Sequence, residues 1–316
     1  MKIVFMGTPD FAVASLDSLY QAGHKIIGVV TQPDRPRGRG QKLTPSPVKT
    51  KALELNLDIF QPAKVKDPQF LELLKTLRPE VIVVVAYGQL LSPEILALPE
   101  RGCINVHASL LPQYRGAAPI HWAVINGERE TGVTTMLMDA GLDTGDMLLK
   151  ASLSIGPNTT TGELHDRLAV LGGQLVAQTL AKLEKGELAP IPQQAALASY
   201  APLIKKKHEI IDWNNKGETI HNQIRGMNPW PGAYTFLGDK RVKIRETLIT
   251  AQDSWDSAAP PGTIIGIIDE GLLVQTGSMP ITVKSLQPAG KNIMAARDFI
   301  NGINVSPDQS FGDADD

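Results

Sequence analysis

The run Val81-Ile82-Val83-Val84-Val85 constrains this chain more than any other stretch. A strand that is continuous in Val and Ile belongs to a sheet buried on both faces. Runs of the same β-rich kind recur at 2–7, 25–32, 58–61, 103–107 and 132–138, with Val81 heading one that extends to Tyr87. Helical patterns at 10–21, 47–55, 67–77 and 117–126 fall between them. Strand and helix in alternation predict an α/β architecture: a doubly wound, mostly parallel, Rossmann-like sheet with right-handed crossovers.

A long amphipathic helix is expected over 160–185, with Leu164, Leu168, Leu171, Leu175 and Leu183 on or near one face. Gly162, Gly172 and Gly173 weaken that helix locally. Composition then changes. Pro190, Pro192 and Pro202 interrupt a stretch rich in Ala and Gln, which is the signature of a linker. Beyond it come a short helix (216–226) and five short β-runs at 233–237, 241–249, 262–268, 272–276 and 281–286. Five such strands separated by Gly, Pro and Asp turns predict a small β-barrel of the OB type. The expected division is therefore a first domain over 1–189, a linker over 190–208, a barrel over 209–312 and an acidic tail over 313–316. A length of 316 residues suits two cores better than one.

Hydrophobic residues make up 42% and charged residues 20%, ordinary values for a chain that buries a sizeable core. The N-terminal apolar stretch is too short for a signal peptide, and no window approaches a membrane span, so a soluble cytoplasmic protein is expected. A single cysteine, Cys103, allows neither an internal disulfide nor a Cys-based zinc site. The net charge of −2 does not by itself point to nucleic acid. Three of the acids, Asp313, Asp315 and Asp316, sit in the tail, so any nucleic-acid footprint must be local. The tail is expected to be disordered, and Trp255 falls in no functional pattern.

A doubly wound sheet invites a dinucleotide. The turn after the first strand, Gly7-Thr8-Pro9-Asp10-Phe11, has one glycine where that fingerprint needs three, and Pro9 removes a backbone donor. With no P-loop pattern either, NAD and ATP are not expected. The chemistry concentrates elsewhere. Asn105 and His107, two apart on a strand, project to the same side near its carboxyl end, where open α/β sheets bind ligands. After the next strand, Gly141 and Gly145 bracket Asp143 in a loop whose backbone could approach a flat ligand. Blander readings remain open on spacing alone. A strand-end histidine can simply be hydrogen-bonded, an asparagine can cap a turn, and the 143–146 loop can be turn chemistry or a calcium loop lacking the usual acidic pattern.

Asn105-Val106-His107, then Ser109-Leu110-Leu111-Pro112, then Gly141-Leu142-Asp143-Thr144-Gly145-Asp146 together resemble the signature of the tetrahydrofolate-dependent formyltransferases. The likeness continues at 7–11, 31–36, 45–49, 114–119, 228–231 and 286–291, so it spans both halves nearly end to end. It points to the branch whose acceptor is initiator methionyl-tRNA. The resemblance implies 10-formyltetrahydrofolate as formyl-donor co-substrate, with no metal and no covalent acyl-enzyme. Asn105 and His107 would steady a developing oxyanion, while Asp143 would pair its charge with the imidazole and order a relay water. Tyr87, Gly88, Gln89, Ser109, Leu110, Leu111, Pro112, Asp139, Gly141 and Leu142 would hold the pterin, largely through main-chain groups.

The segment from Gln32 to Lys42 carries Arg35, Arg37, Arg39 and Lys42 among prolines, glycines and glutamine. It reads as too polar and broken for helix or strand, hence an exposed basic loop, ordinarily a solvated surface. By resemblance it would wedge into the acceptor end of the tRNA, with Arg39 as its key contact. Lys206, within Lys205-Lys206-Lys207, would add a second contact, and the barrel would hold the acceptor stem through phosphates. Three alternatives stand beside this: a relative acting on a small-molecule amine, one using water, and a tRNA-binding protein without catalysis. No heptad pattern argues for assembly, so a monomer is expected.

Overall fold

A computed structural model describes residues 1–37, 42–249, 258–269, 271–303 and 309–312. Arg39, Trp255 and the tail 313–316 lie outside the described residues. The chain forms two compact units. The first contains Met1–Pro119, Glu130–Leu153 and His165–Ala201; the second contains Ile120–Arg129, Ser154–Leu164 and Pro202–Asp316.

The elements run β1 (Lys2–Gly7), α1 (Phe11–Gln21), β2 (Lys25–Val30), β3 (Arg35–Arg37), β4 (Lys42–Thr44), α2 (Pro47–Glu54), β5 (Ile59–Phe60), α3 (Pro68–Leu77), β6 (Val81–Val85), α4 (Pro93–Leu96), β7 (Cys103–His107), α5 (Pro119–Ile125), β8 (Glu130–Leu137), β9 (Met147–Ser154) and α6 (Thr161–Glu184). The main sheet has the order β5-β2-β1-β6-β7-β8-β9. Strands from β5 through β7 pair in parallel, and the chain winds outward from β1 to β5 before returning to β6 on the other side of β1. That reversal leaves a crevice beyond the carboxyl ends of β1 and β6. The Val81–Val85 strand is buried on both faces, every residue at 5% exposure or less. Val4, Met6, Ile82 and Val84 pack with Phe70, Leu74 and Ile95 in one cluster. Each such side chain removed from water contributes about 1.5–3 kcal/mol, so this strand anchors the loops at its end.

The sheet is mostly parallel, as expected, with an antiparallel edge, and one expectation needs correction. β8 runs antiparallel to β7, with His107 opposite Thr134 and Ile104 opposite Leu137, and β9 adds a further strand that was not expected. β9 has the alternation of a strand with one wet face, Lys150, Ser152 and Ser154 exposed between half-buried Leu149, Ala151 and Leu153, a legible strand signal outside the expected elements. The basic segment is also more regular than its composition implies. Arg35, Pro36 and Arg37 pair antiparallel with Thr44, Leu43 and Lys42. A two-stranded ribbon wet on both faces needs no apolar alternation, so its sequence carries no strand pattern. Below it, Asp34 accepts from Lys49 Nζ at 2.7 Å and from Gln61 Nε2 at 2.8 Å.

The glycines of α6 do not break it. A Cβ at Gly173 would stand 2.7 Å from both Ala14 O and Ser18 Oγ of α1, and one at Gly172 would stand 3.1 Å from Val106 Cγ1. Close packing against α1 and β7 offsets the roughly 1 kcal/mol that each glycine costs a helix.

The second unit holds α7 (Gly217–Gly226), β10 (Tyr234–Leu237), β11 (Lys240–Ile249), β12 (Ile264–Ile268), β13 (Gly271–Val274), β14 (Ile281–Pro288), β15 (Met294–Ala295), α8 (Ala296–Ile303) and β16 (Phe311–Gly312). Its antiparallel sheet has the order β12-β13-β14-β11-β10-β16, and a bridge between Thr263 and Ser310 joins the two ends of that path. The sheet therefore curls on itself around Trp213, Ile220, Val242, Leu272, Val283 and Phe311, as the five expected strands require. Among the described residues, no helix is long and apolar enough to cross a membrane.

His221 on α7 is 2% exposed, with Nε2 3.0 Å from Pro157 O and Nδ1 2.9 Å from Thr247 Oγ1. A carbonyl can only accept, so the proton is assigned to Nε2 and the Thr247 hydroxyl donates to Nδ1. Burial above all holds its pKa below the ordinary 6.5, with Arg225 acting in the same direction. The unfolded chain then takes up a proton that the folded chain refuses. Stability contributed by neutral His221 is present above the ordinary pKa and is lost as pH falls through it towards the lowered folded value. His221→Gln should flatten this acid limb: between about pH 7.5 and 5.5 its urea midpoint should fall less than the wild-type midpoint. Parallel midpoints would assign the acid sensitivity to other groups.

Candidate active site

β7 delivers Asn105 half-buried and His107 buried, both on the face expected from their spacing. Asp143 arrives by an unexpected route. Because β8 runs backward, it ends beside the start of β7, where Met138 N donates to Cys103 O at 2.8 Å. The following loop must turn back along β7 to reach the two side chains. It does so with Asp143 in the left-handed region, at φ +53°. Aspartate tolerates that conformation better than most residues. Asp143 Oδ1 lies 3.5 Å from Asn105 Nδ2, and Oδ2 lies 3.7 Å from His107 Nδ1. Oδ2 also accepts from Gly116 N at 2.8 Å, which fixes the carboxylate between β7 and the 114–118 loop.

The other ring nitrogen settles the histidine. His107 Nε2 lies 2.9 Å from Tyr114 O, and a carbonyl can only accept, so Nε2 carries the proton. Nδ1, the nitrogen without a hydrogen in the neutral ring, then faces Asp143. The side chains of His107 and Asp143 are 7% and 15% exposed, so their mutual field is weakly screened by solvent.

The two glycines that bracket Asp143 serve the loop itself. A Cβ at Gly145 would stand 1.8 Å from Leu137 O, and one at Gly141 would stand 2.0 Å from Thr144 Oγ1. Asp139 Oδ1 accepts from Gly141 N at 2.9 Å and from Thr144 Oγ1 at 2.7 Å, closing the turn from inside.

The residues expected at the folate divide into two kinds. Several are committed within the protein. Tyr87 has its ring in the core, and its carbonyl accepts from Thr8 Oγ1 at 2.9 Å and Gln32 Nε2 at 3.3 Å. Burial pushes its phenol pKa up to about 12. Gln89 Oε1 accepts from Val65 N at 2.8 Å. Thr134 Oγ1 donates to Ser109 O at 2.7 Å and accepts from Leu111 N at 3.1 Å, while Lys150 Nζ donates to Leu111 O. Ser109 Oγ donates to Gln113 O, and Leu110 O accepts from Gln113 N. Pro112 stands after a cis peptide bond, and its carbonyl accepts from Ser199 N. The second kind is open. Gly88, at φ +87°, is exposed beyond β6. Leu142 is 53% exposed beside Asp143; Leu90, which was not among the expected residues, is 74% exposed beside Gln89. Exposed apolar groups flanking polar main chain suit a flat heterocycle whose edge hydrogen-bonds and whose faces are apolar.

Among the residues expected at the tRNA, Arg35 and Lys42 are exposed on the β3–β4 ribbon and Arg37 lies in β3. Lys206 is exposed in a 3₁₀ turn over Lys206–His208. The expected linker is tied down in its first part. Ile191 exchanges two 2.9 Å hydrogen bonds with Met147, and Ser199 and Ala201 pair with Arg115. Gln193, Arg115, Thr134 and Lys150 all brace the site. Gln193, Thr134 and Lys150 act on main chain far away in sequence, which leaves no local pattern, while Arg115 falls within the 114–119 likeness and acts through the Gln193 side chain.

A sequence model of the formyl transferase family matches residues 1–180, and one of the formyl transferase C-terminal domain matches residues 203–304. A methionyl-tRNA formyltransferase of Desulforamulus reducens is 52% identical over 312 residues, covering 99% of this chain and 98% of its own. Among solved structures, the sugar 3N-formyl transferase WlaRD, crystallised with dTDP and 5-N-formyl-THF, superposes with a TM-score of 0.67 at 19% identity, covering 92% of this chain and 99% of that one. HypX of Aquifex aeolicus, in complex with tetrahydrofolic acid, gives 0.62 at 15% identity over 95% of this chain, which spans only 47% of that longer protein. At such identities these two structures speak for the fold alone. The chain belongs to the formyl transferase family, and within it to the branch represented by its methionyl-tRNA formyltransferase relatives.

Proposed function

We propose that this chain transfers the formyl group of 10-formyltetrahydrofolate to the α-amino group of methionine on initiator methionyl-tRNA, giving the N-formylmethionyl-tRNA that starts translation. The observation that carries this reading is the convergence of Asn105, His107 and Asp143 in a chain 52% identical, over 99% of its length, to a methionyl-tRNA formyltransferase. The folate supplies the formyl group and takes up a proton at N10 as it leaves. The residues of this chain do the rest. Asn105 has an amide hydrogen to spare for the formyl oxygen as charge develops there, a contribution of about 3–4 kcal/mol in comparable sites. His107 Nδ1 moves the proton, and Asp143 holds it in line and carries the opposite charge. Gly88, Leu90 and Leu142, with the main chain around Ser109–Pro112 and Asp139–Leu142, receive the pterin.

On this reading residues 1–189 carry the chemistry and residues 209–312 hold the acceptor stem, in a monomer working in the cytoplasm. Formylation of charged initiator tRNA, compared with charged elongator methionine tRNA, is the test. Strong preference for the initiator supports the proposal. Folate turnover without an acceptor would instead favour a hydrolase, and equal use of a small amine would favour a small-molecule transferase.

In sequence Arg39 stands between Arg37 and Lys42, and the resemblance makes it the key contact to the tRNA. Arg39→Ala should weaken tRNA use by at least about tenfold with folate binding unchanged. If Arg39 holds a phosphate, the slope of log affinity against log salt should drop by about one. An unchanged slope accompanied by weaker binding would mark a base or stacking contact.

A further inference from the structure

We propose that Gln193 is a positioning residue for the reaction, holding the Asp143 turn in register with His107. This rests on the function proposed above. Gln193 Nε2 donates to Asp143 O at 2.8 Å and to Gly145 O at 2.7 Å. Its Oε1 accepts from Arg115 Nη2 at 2.8 Å and Arg115 Nε at 3.1 Å. One amide thus ties together three main-chain and side-chain groups. Its orientation has a single chemically consistent assignment, since carbonyls cannot donate and a guanidinium cannot accept.

The turn needs such a brace. Asp143 sits at φ +53°, and β8 releases the loop at the far end of β7, so no strand pairing holds residue 143 against Asn105 and His107. Among the described residues the Asp143 carboxylate has one main-chain donor, Gly116 N. Gly116 belongs to the same loop as Arg115. Arg115 is 5% exposed, and its main chain is clamped by Ser199 and Ala201. Arg115 therefore serves as the fixed point, Gln193 as the strut, and the Asp143 backbone as what is held. A carboxylate 3.7 Å from Nδ1 is sensitive to small movements, and a displacement of about 1 Å at a reacting group can cost about a hundredfold in rate.

Gln193→Met keeps the length and removes both hydrogen-bonding ends. Gln193→Glu keeps the Arg115 partner but turns an acceptor toward two carbonyls. Both should lower kcat by about 10- to 100-fold, with KM for the folate within about twofold. The deciding measurement is a double-mutant cycle. In an Asp143→Asn background, Gln193→Met should cost little more, because its effect runs through Asp143. Equal losses in both backgrounds, or a Gln193→Met enzyme with wild-type kcat, would overturn the proposal. A second readout needs no turnover. The ¹⁵N signals of the His107 ring should move in Gln193→Met in the direction they take in Asp143→Asn, and unmoved signals would count against it. If the wild-type chain fails to formylate charged tRNA, the proposed function falls while the nitrogen signals still decide on Gln193.

Discussion

Replacing His107 by Ala should lower kcat by about 10²- to 10⁴-fold, with folate and tRNA binding close to wild type. The size follows from what the imidazole has to do. A neutral amine that attacks a formyl carbon must shed a proton, and N10 must gain one before the bond to it breaks. Without a positioned base these transfers fall to bulk water. His107 is placed for the task because Tyr114 O occupies Nε2, leaving Nδ1 free beside Asp143. His107→Gln refines the test. Its amide can keep a hydrogen bond to Tyr114 O, so loop geometry is retained while proton transfer is lost. Both variants should be slow, and the Gln variant should be the more stable in urea. Turnover of His107→Ala within about threefold of wild type would remove the residue from the chemistry.

Asp143 should show a split between activity and stability. Asp143→Asn keeps an acceptor for Gly116 N and a residue that tolerates the left-handed backbone, but removes the charge. Its kcat should fall by about 100-fold or more, with little change in urea midpoint. Asp143→Ala loses the acceptor as well and places a residue with no local compensation at φ +53°, adding about 1–2 kcal/mol of destabilisation. Near-normal kcat for Asp143→Asn would mean that the carboxylate orients the loop without its charge entering the reaction. Equal stability of the two variants would mean that the Gly116 contact and the backbone preference matter less than the geometry indicates.

Local pattern was enough for much of the molecule. The apolar runs of β1, β2, β6 and β7 and the capped helices between them are legible because burial on both sheet faces demands nearly continuous Val and Ile. In the structure Ser46 and Asp67 cap α2 and α3, accepting from Lys49 N and Gln69 N in the first turn. Asn105 and His107 share a face through the two-residue period of a strand, which needs no tertiary information. The curled sheet of the second unit was likewise visible in its short strands and turns.

The remainder was decided by groups that meet only in the folded chain. Nothing local distinguishes a parallel from an antiparallel β8, since both bury the same residues; the direction depends on where the chain re-enters the sheet after α5. That direction sets the path of the 138–146 loop, and so the need for Asp143 to turn back along β7. That His107 turns Nδ1 rather than Nε2 toward Asp143 rests on a carbonyl seven residues on, and the bracing of Asp143 rests on Gln193, fifty residues on, in a stretch that composition presents as a tether. A hydrogen bond to main chain leaves no periodic trace in sequence, because every residue offers the same carbonyl. Side-chain pattern therefore determined which elements form and which faces they bury, while the placement of polar groups within ångströms of one another was a property of the fold alone.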